Sequence, residues 1–282
     1  MPLSPWSCTN CGHWQRWFAV PPQCPVCVDV RNALPEDGWE FRSFDELATG
    51  REARWEEVTP GVTGFWCEPQ VGLGTCGWVI ETERGLVGWE AAGLYPPAAI
   101  EELRRRGGLA ALASSHVHGY GALFQLQDEL DPPVLAIGVG DLEWTKAFRV
   151  TWPLDDRHEF APGLVAHRTG GHFDGHMVLH DEQRGVLFCG DMLKASFDAD
   201  GRPVGLSAHK AFHAQIPLSH QEIRDAYAVI ERLDFDAVAT PFEYAAGIST
   251  KQVLALYDRL LSAQPLAGPI PLEELSWPDR PS

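Results

Sequence analysis

From residue 64 onward the chain is a succession of short apolar runs broken by glycine, proline and acidic turns. The runs at 64–67, 77–80 and 85–88 carry β-branched and aromatic residues between turn residues, so they read as strands. A helix is predicted over 97–106, stopped by Gly107-Gly108, followed by an apolar strand at 109–113 that leads into a histidine-rich turn. A second helix begins near Ala122 and runs toward Glu129. After Asp131-Pro132-Pro133 the run 134–138 is a buried strand, and 148–152, 164–167, 177–180 and 185–189 form a second set. Ser219-His220-Gln221-Glu222 is a capping box opening a helix with Ile223, Ala226, Tyr227 and Ile230 on one face, and Ser249-Thr250-Lys251-Gln252 repeats the device. Strands alternating with helices predict a mixed α/β class without internal repeats.

Three of these runs end on metal-binding side chains. They lead to Ser115-His116-Val117-His118, to Gly171-His172-Phe173-Asp174-Gly175-His176 and to Phe188-Cys189-Gly190-Asp191. Imidazoles at i and i+2 share a face of a strand, and in the turn after a strand they can converge on one ion. Singly, each of these residues is better explained as a core histidine or a turn aspartate. Their order and spacing together carry the inference.

That pattern resembles the metallo-β-lactamase-fold hydrolases, which have an HxHxDH loop, a histidine in a GHTPGH-like turn, a Gly-Asp after an apolar strand and a last histidine. The resemblance covers residues 56–262 and implies a four-layer αββα sandwich. It implies a metal site of His116, His118 and His172, with Asp191 as fourth ligand or orienting partner. The chain departs from the family where Tyr120 and Gly121 stand in place of Asp-His, and where Thr240-Pro241-Phe242-Glu243 stands near the last histidine. Two side chains that serve a second metal are therefore absent, and Glu243 is a candidate oxygen ligand. Tyr120 is a candidate donor to a developing oxyanion or leaving group. His176 falls where relatives carry a histidine and is assigned a supporting role behind the ligands. His209, with Lys210 and His213, lies where the family places substrate loops; an anionic ligand and a plain polar loop explain these residues equally well. His180, beside Asp181 and Glu182, is expected to be solvated.

The N-terminus follows a different rule. Cys8-Thr9-Asn10-Cys11 and Cys24-Pro25-Val26-Cys27 are two CxxC pairs of the zinc-ribbon or rubredoxin type, able to hold one ion with four thiolates. Zinc and iron both accept that donor set. Two disulfides are the alternative. Trp6, Trp14, Trp17 and Phe18 crowd the module; they either cover the metal or pack on the large domain, a second subunit or a protein partner. Cys67 and Cys76 are expected as buried free thiols. The expected organisation is a ribbon at 1–32, an acidic connector at 33–55, the large domain at 56–264 and a Pro-rich tail at 265–282.

A net charge of −17 over 282 residues opposes binding to phosphate backbones, so no nucleic acid is expected. No apolar run approaches a membrane span and the first residues lack a signal-peptide pattern, which predicts a cytoplasmic protein. The expected function is single-metal hydrolysis of a small ester, thioester, lactone or amide, with zinc or iron in the histidine site. A catalytically inactive metal-binding protein and an iron-dependent redox protein are the alternatives.

Overall fold

The computed structural model of the chain describes residues 3–262 and 269–275. It divides into two compact units, Met1–Asp155 and Asp156–Ser282.

In the first unit, β1 (Ser4–Cys8), β2 (Trp14–Trp17) and β3 (Phe41–Ser43) form an antiparallel sheet with β1 in the middle. The turn between β1 and β2 carries the first cysteine pair. Ser43 and Glu46 form a reciprocal capping box that opens α1 (Phe44–Ala48), so the acidic stretch 33–55 contributes ordered elements. A meander of β4 (Glu52–Thr59), β5 (Val62–Glu68), β6 (Gly77–Thr82) and β7 (Gly85–Trp89) follows. Two crossovers, through α2 (Pro97–Arg105) and α3 (Leu123–Leu130), then add the parallel strands β8 (Leu109–Ala113) and β9 (Leu135–Gly138). Strand β10 (Trp152–Leu154) closes this seven-stranded sheet.

The strand expected at 148–152 forms only from Trp152 onward. The Gln127 side chain takes both backbone groups of Arg149, its Nε2 donating to the Arg149 carbonyl at 2.7 Å and its Oε1 accepting from the amide at 2.9 Å. Those groups are therefore spent on a side chain rather than a strand neighbour.

The second unit contains β11 (Arg157–Ala161), β12 (Leu164–Arg168), β13 (Met177–Asp181), β14 (Val186–Phe188), β15 (Lys194–Phe197) and β16 (Pro203–Ser207). It continues with α4 (His220–Ile230), β17 (Ala237–Ala239), β18 (Tyr244–Ala246), α5 (Thr250–Leu261) and β19 (Ile270–Pro271). Six strands pair in the order β11-β12-β13-β14-β17-β18, while β15, β16 and β19 make a separate sheet. Helices α4 and α5 bury Ile223, Ile230, Val253 and Leu256 in one cluster with Val178, Leu187 and Val238. Each such side chain contributes about 1.5–3 kcal/mol by leaving water.

His180 is buried rather than solvated, and its Nε2 lies 2.9 Å from the Asp234 carbonyl. The expectation failed because every residue of β13 is buried, so strand alternation does not separate a wet from a dry side there. Most of the tail expected at 265–282 falls outside the described residues; the part within them supplies β19. Among the described residues, no helix is long and apolar enough to cross a membrane.

Candidate metal centres

The four N-terminal cysteines converge, with Cys8 and Cys27 sulfurs 3.8 Å apart and those of Cys11 and Cys24 3.6 Å apart. A disulfide would hold its sulfurs about 2.05 Å apart. Four sulfurs about 2.3 Å from one tetrahedral ion would be separated by about 3.8 Å along each edge. The observed spacing fits an ion and not a pair of bridges. The Asn10 amide donates to Cys27 Sγ at 3.3 Å and the His13 backbone N–H to Cys11 Sγ at 3.4 Å, which suits thiolate acceptors. Hydrogen bonds from Cys11, Cys24 and Cys27 hold the Cys8 thiol well below its ordinary range. Trp14 packs away from the cysteines: its indole N–H donates to the Gly93 carbonyl at 2.8 Å and its ring lies 5.0 Å from that of Phe124.

The histidine loop follows β8. Ser115 Oγ donates to the Glu90 carboxylate and lies 2.7 Å from His116 Nδ1. A hydroxyl has one proton to give, so here it accepts from His116 Nδ1–H, which puts the imidazole lone pair on Nε2. Ser114 Oγ donates to the other Glu90 oxygen at 2.5 Å. Glu90 is buried at a φ of +62°, a backbone conformation costly for a residue with a Cβ and characteristic of functional sites. The sequence reading did not single out Glu90. The local signal was partial, a carboxylate directly after the apolar strand β7 but without the Gly-Asp pair that marked Asp191.

Tyr120 and Gly121 have positional reasons for their identity. Tyr120 is buried, its hydroxyl donates to the Asp141 carbonyl at 3.4 Å, and its ring meets Phe148 edge-on. Burial pushes its hydroxyl well above the ordinary range. It therefore works as a packing residue of the first unit, and the oxyanion role suggested by sequence is not carried forward. Gly121 has φ +36°, and a Cβ there would stand 2.3 Å from the Ala91 carbonyl oxygen.

In the second unit His172 Nδ1 lies 3.3 Å from the His209 carbonyl, to which it can only donate, so its lone pair is on Nε2, 3.5 Å from Asp191 Oδ2. His209 thus reaches the site through its backbone. Its half-buried ring stacks edge-on with Phe212, and burial lowers its basicity. His176 closes the turn that carries His172. Its carbonyl accepts from the Thr169 and Gly170 amides, and its Nδ1 lies 2.9 Å from Thr169 Oγ1. Glu243 is a partly buried carboxyl whose proton affinity is raised by burial, with the Asp191 charge adding to it. Lys210 is paired with Glu222 at 2.6 Å.

One ligand atom each from His116, His118, His172 and Asp191 lies within 4.8 Å of every other, and all four residues are buried. Three imidazoles and a carboxylate match the chemistry of a tetrahedral or open metal site. His176, His209 and Glu243 are outside this group.

Residues 98–233 match the family model of the metallo-beta-lactamase superfamily. The Bacillus subtilis (strain 168) protein YmaE, described as uncharacterized, is 24% identical over 249 residues, 83% of this chain and 87% of its own. Among solved structures, VMB-1 superposes with a TM-score of 0.57 at 15% identity over 75% of this chain and 99% of its own. The metallo-beta-lactamase FIM-1 from Pseudomonas aeruginosa, in its mono-zinc form, gives 0.56 at 15% identity over 74% and 94%. Rubredoxin oxygen:oxidoreductase from Desulfovibrio gigas gives 0.52 at 12% identity over 74% and 61%. The matched segment is similar in sequence to the metallo-β-lactamase superfamily, and the chain shares the fold of these structures and holds a His3Asp cluster.

Proposed function

We propose that the chain is a metal-dependent hydrolase acting at one ion held by His116, His118, His172 and Asp191, with a structural ion in the four-cysteine module. Zinc suits both donor sets. The observation that carries this reading is the support behind the ligands. Ser115 and Glu90 hold the Nδ1 proton of His116, and the His209 carbonyl holds that of His172, so two Nε2 lone pairs are fixed in direction before any ion arrives. When bound, the ion supplies Lewis acidity and activates water near neutral pH.

The residues of the chain define what such a site could accept. Tyr120 and Gly121 remove the second set of ligands, which disfavours the two-ion clamp used on phosphodiesters and favours a carbonyl substrate: a small ester, thioester, lactone or amide. The acidic net charge works in the same direction, against polyphosphate substrates. Asp191 Oδ2 completes the donor set beside His172 Nε2.

The test is elemental analysis of protein purified without added metal, with its absorption spectrum, followed by a panel of esters, thioesters, lactones and amides. Two zinc ions per chain and turnover that is lost in His116→Ala support the reading. Two ions with no turnover across the panel would leave a metal-binding protein without catalysis. Iron with visible absorption in the histidine site would turn the assignment to redox chemistry.

A further inference from the structure

His13 has no part in either donor set, yet it is a buried polar side chain of the first unit. It is 5% exposed, and both ring nitrogens are buried without a hydrogen-bond partner among the described residues. A neutral imidazole carries one donor and one acceptor, and leaving both unmet is costly. The ring faces a cavity of about 10 Å³, lined by Cys11, His13, Thr75, Val117 and His118 among others. That is room for about one water, and a water held there needs two or more polar partners. The cavity offers them in His13, His118 and the Thr75 hydroxyl, which donates its own proton to the Ala91 carbonyl at 2.9 Å and keeps its lone pairs.

The backbone around the cavity has little give. A Cβ on Gly72 would stand 2.1 Å from the Gly12 amide nitrogen, so the first cysteine knuckle rests directly on the 71–72 turn. The segment just after β7 is gripped from both sides. Trp14 of the module donates to Gly93, while the Ala91 amide donates to Gly119 of the histidine loop at 2.9 Å. The cysteine module and the histidine loop are thus two faces of one tightly packed layer.

We propose that His13 is a positioning residue: through one buried water it orients the His118 ring, and so couples the four-cysteine centre to the histidine centre. This rests on the metal reading above for its effect on affinity, but the bridge itself does not. With both centres loaded, binding at one strengthens binding at the other by the same factor.

The test uses the full chain with cobalt(II), whose thiolate charge-transfer bands distinguish the cysteine centre from the histidine one. His13→Leu is expected to retain the thiolate bands and lose about 10–100-fold in cobalt affinity at the histidine centre, with His13→Gln recovering most of it. Ring signals of His118, but not of His172, should shift in the nuclear magnetic resonance spectrum of His13→Leu. Unchanged affinity and unchanged His118 signals in folded His13→Leu overturn the proposal. If the wild-type histidine centre takes up no cobalt, the metal reading fails instead, and the His118 signals alone decide the bridge.

Discussion

Ser115 Oγ lies 2.7 Å from His116 Nδ1 and gives its own proton to Glu90, so a carboxylate, a hydroxyl and an imidazole stand in line behind one face of the histidine centre. The arrangement fixes the tautomer of His116 and raises its basicity as a ligand. Ser115→Ala removes the acceptor while leaving the loop backbone intact. The expected result is a loss of about 10–100-fold in metal affinity at the histidine centre, measured by competition with a chromophoric chelator, together with a lower thermal midpoint because Glu90 and the His116 Nδ1–H each lose a buried partner.

Gly119 is the counterpart of that line. A Cβ added there would fall inside contact distance of the Glu90 carboxylate, and Glu90 is already held at a positive φ by its neighbours. Gly119→Ala is therefore expected to displace Glu90 and to weaken metal binding at least as much as Ser115→Ala. It should also cost about 1–3 kcal/mol of stability, read from urea unfolding of the metal-free protein.

The family-like substitution Gly121→His is expected to fail as a route to a second metal. Its Cβ would meet the Ala91 and Ala92 carbonyl oxygens at 2.3 and 2.5 Å, at a φ that costs a non-glycine residue about 1–3 kcal/mol before any clash is counted. Elemental analysis should find no additional ion per chain, and the melting temperature should fall.

Much of this was legible in the sequence, and the part that was not has physical causes. The ligand set could be read because strands end abruptly on histidine or aspartate, and the cysteine knuckles because CxxC spacing has few other uses. Glu90 was missed because its role depends on β7 and β8 being parallel neighbours, 24 residues from Ser114 in the chain. His180 was misplaced because adjacent acidic residues suggested water, whereas Asp181 is itself buried and paired with Arg184 at 2.6 Å. His209 was read as a ring; the site uses its carbonyl, and main-chain acceptors leave no trace in residue identity.

Burial lowers the pKa of His13 from 6.5 to about 4. The folded protein therefore keeps this ring neutral where the unfolded chain protonates it, so its contribution to stability is fully present above pH 6.5. It is lost as pH falls from 6.5 to about 4. A shift of that size on a fully enclosed ring corresponds to about 3 kcal/mol. Denaturant unfolding of the protein with its cysteine centre loaded, between pH 7.5 and pH 5 and expressed relative to His13→Leu, should show the difference shrinking steadily toward pH 5. A parallel pair of curves would mean that the ring finds a proton acceptor on folding.

The two centres share no ligand, and this sets the outcome of removing either one. His172→Ala deletes a donor that is buried beside Asp191 and leaves every cysteine contact untouched. It is expected to keep one ion per chain, bound with thiolate character. Cys24→Ser removes one corner of the sulfur tetrahedron, and a small module that relies on its metal loses the main source of its order. Limited proteolysis should then cut within residues 3–32 while the second unit, with its own core around α4 and α5, stays resistant. Loss of both ions in His172→Ala would mean that the cysteine centre depends on the histidine centre for far more than the coupling through His13, and equal protease resistance of Cys24→Ser and wild type would mean that Trp14 and its contacts hold the module without metal.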